Sequence, residues 1–190
     1  MSSPLIELQK KAEGLGFGWF GVARAEALEK ERADFLEWLK ENRHGEMEWL
    51  ASQPERRTDP GQVLEACRSV VMVGMNYLRE ELPPPGDEEL LHGPHGAFGR
   101  VSKYARTRDY HRVLEKRLKK LARFIDQELI PGTRTKLYVD YGPVMERPWA
   151  QKAGLGFLGK HTLLIHPREG SFHFLGTLLT TAKFNPEELE

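Results

Sequence analysis

Four consecutive apolar residues, Val70, Val71, Met72 and Val73, lie inside the run Arg68 to Tyr77, RSVVMVGMNY. A strand with one wet face alternates apolar and polar side chains, so an unbroken apolar run calls for cover on both faces of its sheet. Layered α/β folds supply that cover. The rest of the chain provides the parts: strands are expected near 17–23, 136–140, 162–166 and 172–180, and helices between them. With 190 residues and 39% hydrophobic content, the chain can bury one sizeable core. The expectation is therefore one domain over residues 1–190, a three-layer α/β unit with a mixed central sheet.

The helices carry their own start and stop signals. Ser3 as N-cap and Pro4 at the first position open a helix whose Leu5, Leu8, Ala12 and Leu15 share a face, and Gly14 and Gly16 close it. Leu28 to Asn42 repeats apolar residues at helical spacing among charges. Asp109 is the expected N-cap of a helix reaching about Leu129, with Tyr110, Leu114, Leu118, Leu121, Ile125 and Leu129 as its apolar stripe. Between these lie two irregular stretches, a polar connection ending at Asp59-Pro60 and a proline- and glycine-rich loop from Leu82 to Gly99.

Chemistry concentrates between Leu137 and Leu179. The apolar strand Leu137-Tyr138-Val139 delivers Asp140 into a Gly142-Pro143 turn, and a short helix from Met145 to Ala153 follows. Glu146 in its first turn and Lys152 in its last match the helix dipole. Gly154, Gly156 and Gly159 then precede Lys160 and His161, a loop able to bring peptide groups close to a bulky ligand. Gly176 interrupts the last strand, which implies close backbone approach there. Asp140 can be read as an acid at a strand end, where functional groups of α/β folds collect, or as an aspartate satisfying its own turn.

Composition excludes several classes. Equal numbers of basic and acidic residues, 28 of each, leave no overall electrostatic footprint for nucleic acid, so any such contact must be local. The local candidate is the polar face of the long helix, Arg112, Lys116 and Lys119, with Arg100, Arg106 and Arg108 before it; an ordinary solvated face is the competing reading. No apolar run approaches the roughly 20 residues of a membrane span, and the N-terminus lacks a signal-peptide pattern, so a cytoplasmic protein without membrane association is expected. The single Cys67 can neither form an internal disulfide nor alone hold an iron–sulfur cluster. His92 and His95 lack further ligands at metal-binding spacing, so no metal site is assigned to them.

The runs VDYGPVMER, KAGLGFLGKHTLLI and GSFHFLGTLLT, preceded by RRTDPGQVLEACRSVVMVGMNYL and SKYARTRDYHRVLEKRLKKLA, closely resemble the N-terminal, cobalamin-binding domain of the epoxyqueuosine reductase family. The likeness covers nearly the whole chain with its motifs in order. It implies a nitroreductase-like fold, shared with reductive dehalogenases, and reduction of epoxyqueuosine to queuosine in tRNA.

The same resemblance implies roles for particular residues. Asp140 takes the place of the family's proton donor, useful as an acid near neutral pH if burial raises its pKa. Arg57, otherwise an ordinary surface arginine, falls where the family contacts cobalamin. Ser102, Gly159, Lys160, His161, Leu164, Ser171 and Gly176 fall in the stretches that meet the corrin or its tail. His161 departs from the family's usual asparagine and could contact the corrin or ligate cobalt. The family's two [4Fe–4S] clusters belong to a following domain, absent from this sequence, so turnover calls for an iron–sulfur electron donor. Two other readings stay open, a non-catalytic cobalamin or tRNA carrier and a flavin-dependent reductase of nitroreductase type.

Overall fold

The computed structural model describes residues 3–78, 91–92, 98–99, 101–106 and 108–189. In chain order these form α1 (Pro4–Gly14), β1 (Trp19–Arg24), α2 (Glu29–Lys40), α3 (Pro54–Thr58), β2 (Ser69–Asn76), β3 (Leu91–His92), β4 (Phe98–Gly99), α4 (Tyr110–Arg123), β5 (Thr135–Tyr138), α5 (Glu146–Lys152), β6 (Phe157–Leu158), β7 (Leu164–Ile165) and β8 (His173–Thr180). Most of the loop expected over 82–99, with His95, and Arg100 lie outside the described residues.

The main sheet has the order β1-β2-β8-β5. Strand β2 is central, and its unbroken apolar run divides between the two faces, as alternation requires. Val71 and Val73 join Val22 and Leu178 beneath Leu5 and Leu8 of α1 and Leu114, Leu118 and Leu121 of α4. Val70 and Met72 join Trp19, Ala23 and Leu179 against Trp149 and Ala150 of α5, with Leu28, Val63 and Leu64. Helices therefore cover both faces, and the α/β layering read from Val70 to Val73 is realised.

Three details differ from expectation. Every described pairing of the main sheet is antiparallel, rather than mixed. Strands β2 and β5 run in the same sense and are separated by β8, which pairs antiparallel with both. The strand expected at 162–166 is not in this sheet: Leu164–Ile165 pairs with Phe157–Leu158 in a separate hairpin. Backbone bonds from Gly159 to Leu163 and from Thr162 to Gly159, both 2.9 Å, close the turn, so the segment meets its hydrogen-bonding needs locally. Finally, the long helix is α-helical only to Arg123 and continues as a π-helical turn from Phe124 to Leu129. The wider turn is tied at its far end, where Asp126 accepts from the Thr133 and Thr135 hydroxyls at 3.0 and 2.7 Å.

Two local expectations are met closely. Ser3 Oγ accepts from the Ile6 amide, capping α1. At Gly176 a Cβ would lie 3.0 Å from Leu118 of α4, so the missing side chain is what lets that helix sit on the sheet. By contrast α2, although patterned as amphipathic, has no fully buried residue.

Candidate functional site

A cleft of about 830 Å³ opens at the end of the sheet between α5, the β6–β7 hairpin and the start of β8. Asp140, Gly159, Leu164 and Ser171 line it, together with Trp19, Tyr110, Glu146, Arg147 and His173. Of the residues singled out in the sequence, these first four are brought together.

Asp140 lies two residues beyond β5 with φ +57, a left-handed conformation tolerated by aspartate better than by most residues. Gly142, at φ +144, packs under the Tyr138 ring, where a Cβ would lie 2.3 Å from a ring carbon. The acid is thus turned back over the cleft. Its Oδ2 accepts the Tyr110 hydroxyl, and His111 Nε2 is 3.4 Å from the same oxygen. Asp109 completes this arrangement. It caps α4 through the His111 amide at 3.0 Å and holds His111 Nδ1 at 2.8 Å, so one helix start presents two side chains to Asp140. The bond to His111 keeps the Asp109 carboxyl below its ordinary range. Burial, and then the Asp140 charge, push the Tyr110 hydroxyl upward, so it stays a proton donor.

Burial does not distinguish Asp140, contrary to expectation: its side chain is 49% exposed. The crowded carboxyl is Glu146, which accepts the Asp140 amide at both oxygens, each at 3.2 Å. As a residue Glu146 keeps some exposure, but its carboxyl end is densely surrounded. Desolvation, reinforced by Asp140, raises its pKa to about 8. Two carboxyls this close do not both ionise readily.

The remaining wall is held by Arg147, whose Nη1 donates to the Thr162 carbonyl at 2.6 Å and to its hydroxyl at 3.2 Å. This ties α5 to the glycine loop. The run Gly154-Leu155-Gly156-Phe157-Leu158-Gly159 has the spacing of a dinucleotide-binding turn, but it leaves a helix and enters a strand, the reverse of the order such a turn needs. On the opposite wall His173, only 2% exposed, is bound to Glu169 at 3.0 Å and stacked on Trp19. His166 stacks on Trp19 from a ring-centre distance of 4.3 Å. Burial lowers the pKa of both histidines.

Other sequence candidates lie apart from the cleft lining. Lys160 and His161 are exposed at the tip of the β6–β7 turn, where His161 Nδ1 accepts the Leu163 amide at 3.4 Å. Ser102 is exposed before a short 3-10 turn. Gly176 faces α4 instead. Arg57 is at the edge: its carbonyl accepts the Met145 amide at 3.3 Å, its guanidinium covers the Trp49 ring at 5.1 Å, and burial lowers its pKa. On α4, Arg112, Lys116 and Lys119 are exposed, with Arg112 near Asp109 at 3.7 Å and Lys119 paired to Glu115 at 3.1 Å. Arg106 donates to the Val101 carbonyl at 3.0 Å, and Arg108 is exposed.

Sequence reasoning placed Tyr110 in an apolar stripe and Glu146 in a helix dipole, and missed both as neighbours of Asp140. The available signal was Asp109-Tyr110-His111 at a helix start. Among the described residues no group of three or more His, Cys, Asp or Glu could hold a metal ion, and no helix is long and apolar enough to cross a membrane.

Residues 57–141 match the family model described as epoxyqueuosine reductase QueG, DUF1730. The chain is 43% identical to the epoxyqueuosine reductase of Gloeobacter violaceus over 95% of its own length and 53% of that protein. It is 40% identical to the Escherichia coli epoxyqueuosine reductase over 87% of its own length and 42% of that protein. Among solved structures, epoxyqueuosine reductase from Streptococcus thermophilus superposes with a TM-score of 0.82 at 28% identity, covering 95% of this chain and 46% of that one. An epoxyqueuosine reductase bound to an epoxyqueuosine-modified tRNA-Tyr stem loop gives 0.75 at 26% identity, with the same coverage. A reductive dehalogenase, at 16% identity and TM-score 0.57, shares the fold. The chain spans about half the length of the curated relatives it matches. Over that half, in sequence and in fold, the chain is similar to the epoxyqueuosine reductases.

Proposed function

We propose that this chain is the cobalamin- and substrate-binding part of an epoxyqueuosine reductase, with Asp140 as the proton donor. The observation that supports this best is Asp140 turned over the cleft with Tyr110 and His111 on one carboxyl oxygen. Removing an epoxide oxygen to leave an alkene takes two electrons and two protons and releases water. Cobalamin, when bound, supplies electrons at carbon, drawn from an iron–sulfur donor with [4Fe–4S] clusters. Asp140 holds a proton where the departing oxygen forms, and Tyr110 and His111 orient that carboxyl and can return a proton to it.

The cleft suits a large amide-fringed ring in its chemistry. Gly159, Thr162 and Ser171 offer small or hydroxyl-bearing contacts, while Leu158 and Leu163, each at least 39% exposed, offer apolar ones. His173 is the histidine of that wall: its Nε2 pairs with Glu169 and its ring stacks on Trp19, while its Nδ1 is buried without a hydrogen-bond partner. The sequence has no Asp-x-His-x-x-Gly run, so the cofactor would be held with its own base displaced. For His161, position on the outer turn favours tail contact over cobalt ligation. Arg106, Arg108, Arg112, Lys116 and Lys119 flank Tyr110 and provide the phosphate-binding surface for the tRNA stem loop. The reaction places the protein in the cytoplasm, where tRNA is modified.

Visible absorption of the chain after incubation with cobalamin and desalting tests the reading, with FMN in parallel. Retained corrin bands near one per chain, in the base-displaced form, are expected; retained flavin without corrin would overturn it in favour of a flavin reductase. In the complete enzyme, Asp140→Asn should keep cobalamin and lose most turnover.

A further inference from the structure

The Asp140 turn is held from two directions. Its carboxyl is gripped by Tyr110 and His111 of α4. Its backbone is gripped separately by α5, through the paired contacts of the Asp140 amide with the two Glu146 oxygens. Between the two residues lie Gly142 at φ +144 and Pro143. Asp140 itself is left-handed, a conformation that persists in a non-glycine residue only when its surroundings enforce it. The Glu146 carboxyl closes that loop.

We propose that Glu146 is the positioning residue of this site, locking Asp140 over the cleft through the Asp140 amide. The catalytic meaning of the lock rests on the reading of Asp140 as the acid; the lock itself does not. The groups around Glu146 explain why it works as a neutral acid. Asp140 is beside it, Tyr110 faces it from α4, and Thr177 of β8 lies near it. His111 is directed at the far side of Asp140, and the neighbouring Arg147 is spent on Thr162. No cation in that set compensates a Glu146 charge, and burial holds its proton up to about pH 8. A neutral carboxyl accepts the amide without placing a second charge beside Asp140.

Amide hydrogen exchange and pH titration by NMR on the intact chain test this, using Glu146→Gln and Glu146→Ala. A glutamine carbonyl can still accept the amide; alanine cannot. In Glu146→Ala, protection of the Asp140 amide should fall by about tenfold or more while amides of β2 and β8 keep theirs. Glu146→Gln should retain it. The wild-type Asp140 amide shift should titrate with a midpoint near 8, and that transition should vanish in Glu146→Gln. Unchanged protection in Glu146→Ala, equal loss in both variants, or a midpoint near the ordinary glutamate value overturns the proposal. If Glu146→Ala fails to fold, the titration of wild type against Glu146→Gln still decides. A lock present by NMR in an enzyme whose turnover ignores Asp140 would reject the acid assignment and leave the lock standing.

Discussion

The sheet face under α1 and α4 and the cleft beside the β6–β7 hairpin both draw on apolar side chains and do opposite things. On the face under α1 and α4, Leu5, Leu8, Leu114, Leu118, Leu121 and Ile125 are all at most 1% exposed. Each apolar side chain there has met a partner. At the cleft, Leu158 and Leu163 are 39 and 46% exposed, and polar groups surround Asp140. The face under α1 and α4 is finished by its own chain, and the β6–β7 hairpin at the cleft keeps apolar surface open. Folding energy and function are thus largely separated in space, which makes the contrast open to experiment.

The largest effect should come from the finished face. Leu118→Ala removes a fully buried side chain and should cost about 2–5 kcal/mol, measured by urea unfolding. A loss below about 1 kcal/mol would mean that this face is looser than its burial implies. Next is the pH dependence of Glu146. Its folded pKa lies near 8 against an ordinary value of 4.5, so the native state keeps a proton that the unfolded chain releases between those values. Stability from this group is therefore complete below about pH 4.5 and falls as pH rises to about 8. The total should be no more than a few kcal/mol, since each pKa unit is about 1.4. Glu146→Gln should flatten that part of the unfolding profile, and an unchanged slope would place the proton elsewhere.

At the cleft, Leu163→Ala should alter stability by no more than about 0.5 kcal/mol, as an exposed substitution, yet weaken cobalamin retention in the desalting assay. A stability loss comparable to Leu118→Ala would erase the distinction between the two regions. The smallest effect concerns Cys67, whose thiol burial pushes up to about 11. Alkylation at pH 7.5 should be slow in the native state and rapid in urea.

Much of the layering was legible because it depends on short-range pattern. An unbroken run such as Val70 to Val73 has only one way to be satisfied, cover on both faces, and α1 declares its ends through Ser3, Pro4 and Gly14. The hairpin at 157–165 was not legible as such, since Leu164 and Ile165 carry the same β-propensity whether they pair within the sheet or with a near neighbour. Similarly, α2 has helical periodicity, but the pattern does not say whether anything will pack against it.

The site divides along the same line. Asp140 at a strand end, before Gly-Pro, was visible because strand, turn and acid are contiguous, and the ordered motifs carried the family resemblance. The sequence by itself determined the layers, the helix caps and the position of that acid. Only the tertiary structure decided that Tyr110 and His111, some thirty residues earlier, meet its carboxyl. It also decided that Glu146, not Asp140, bears the burial. Desolvation and charge proximity depend on what surrounds a group in space, and periodicity along the chain carries no record of that.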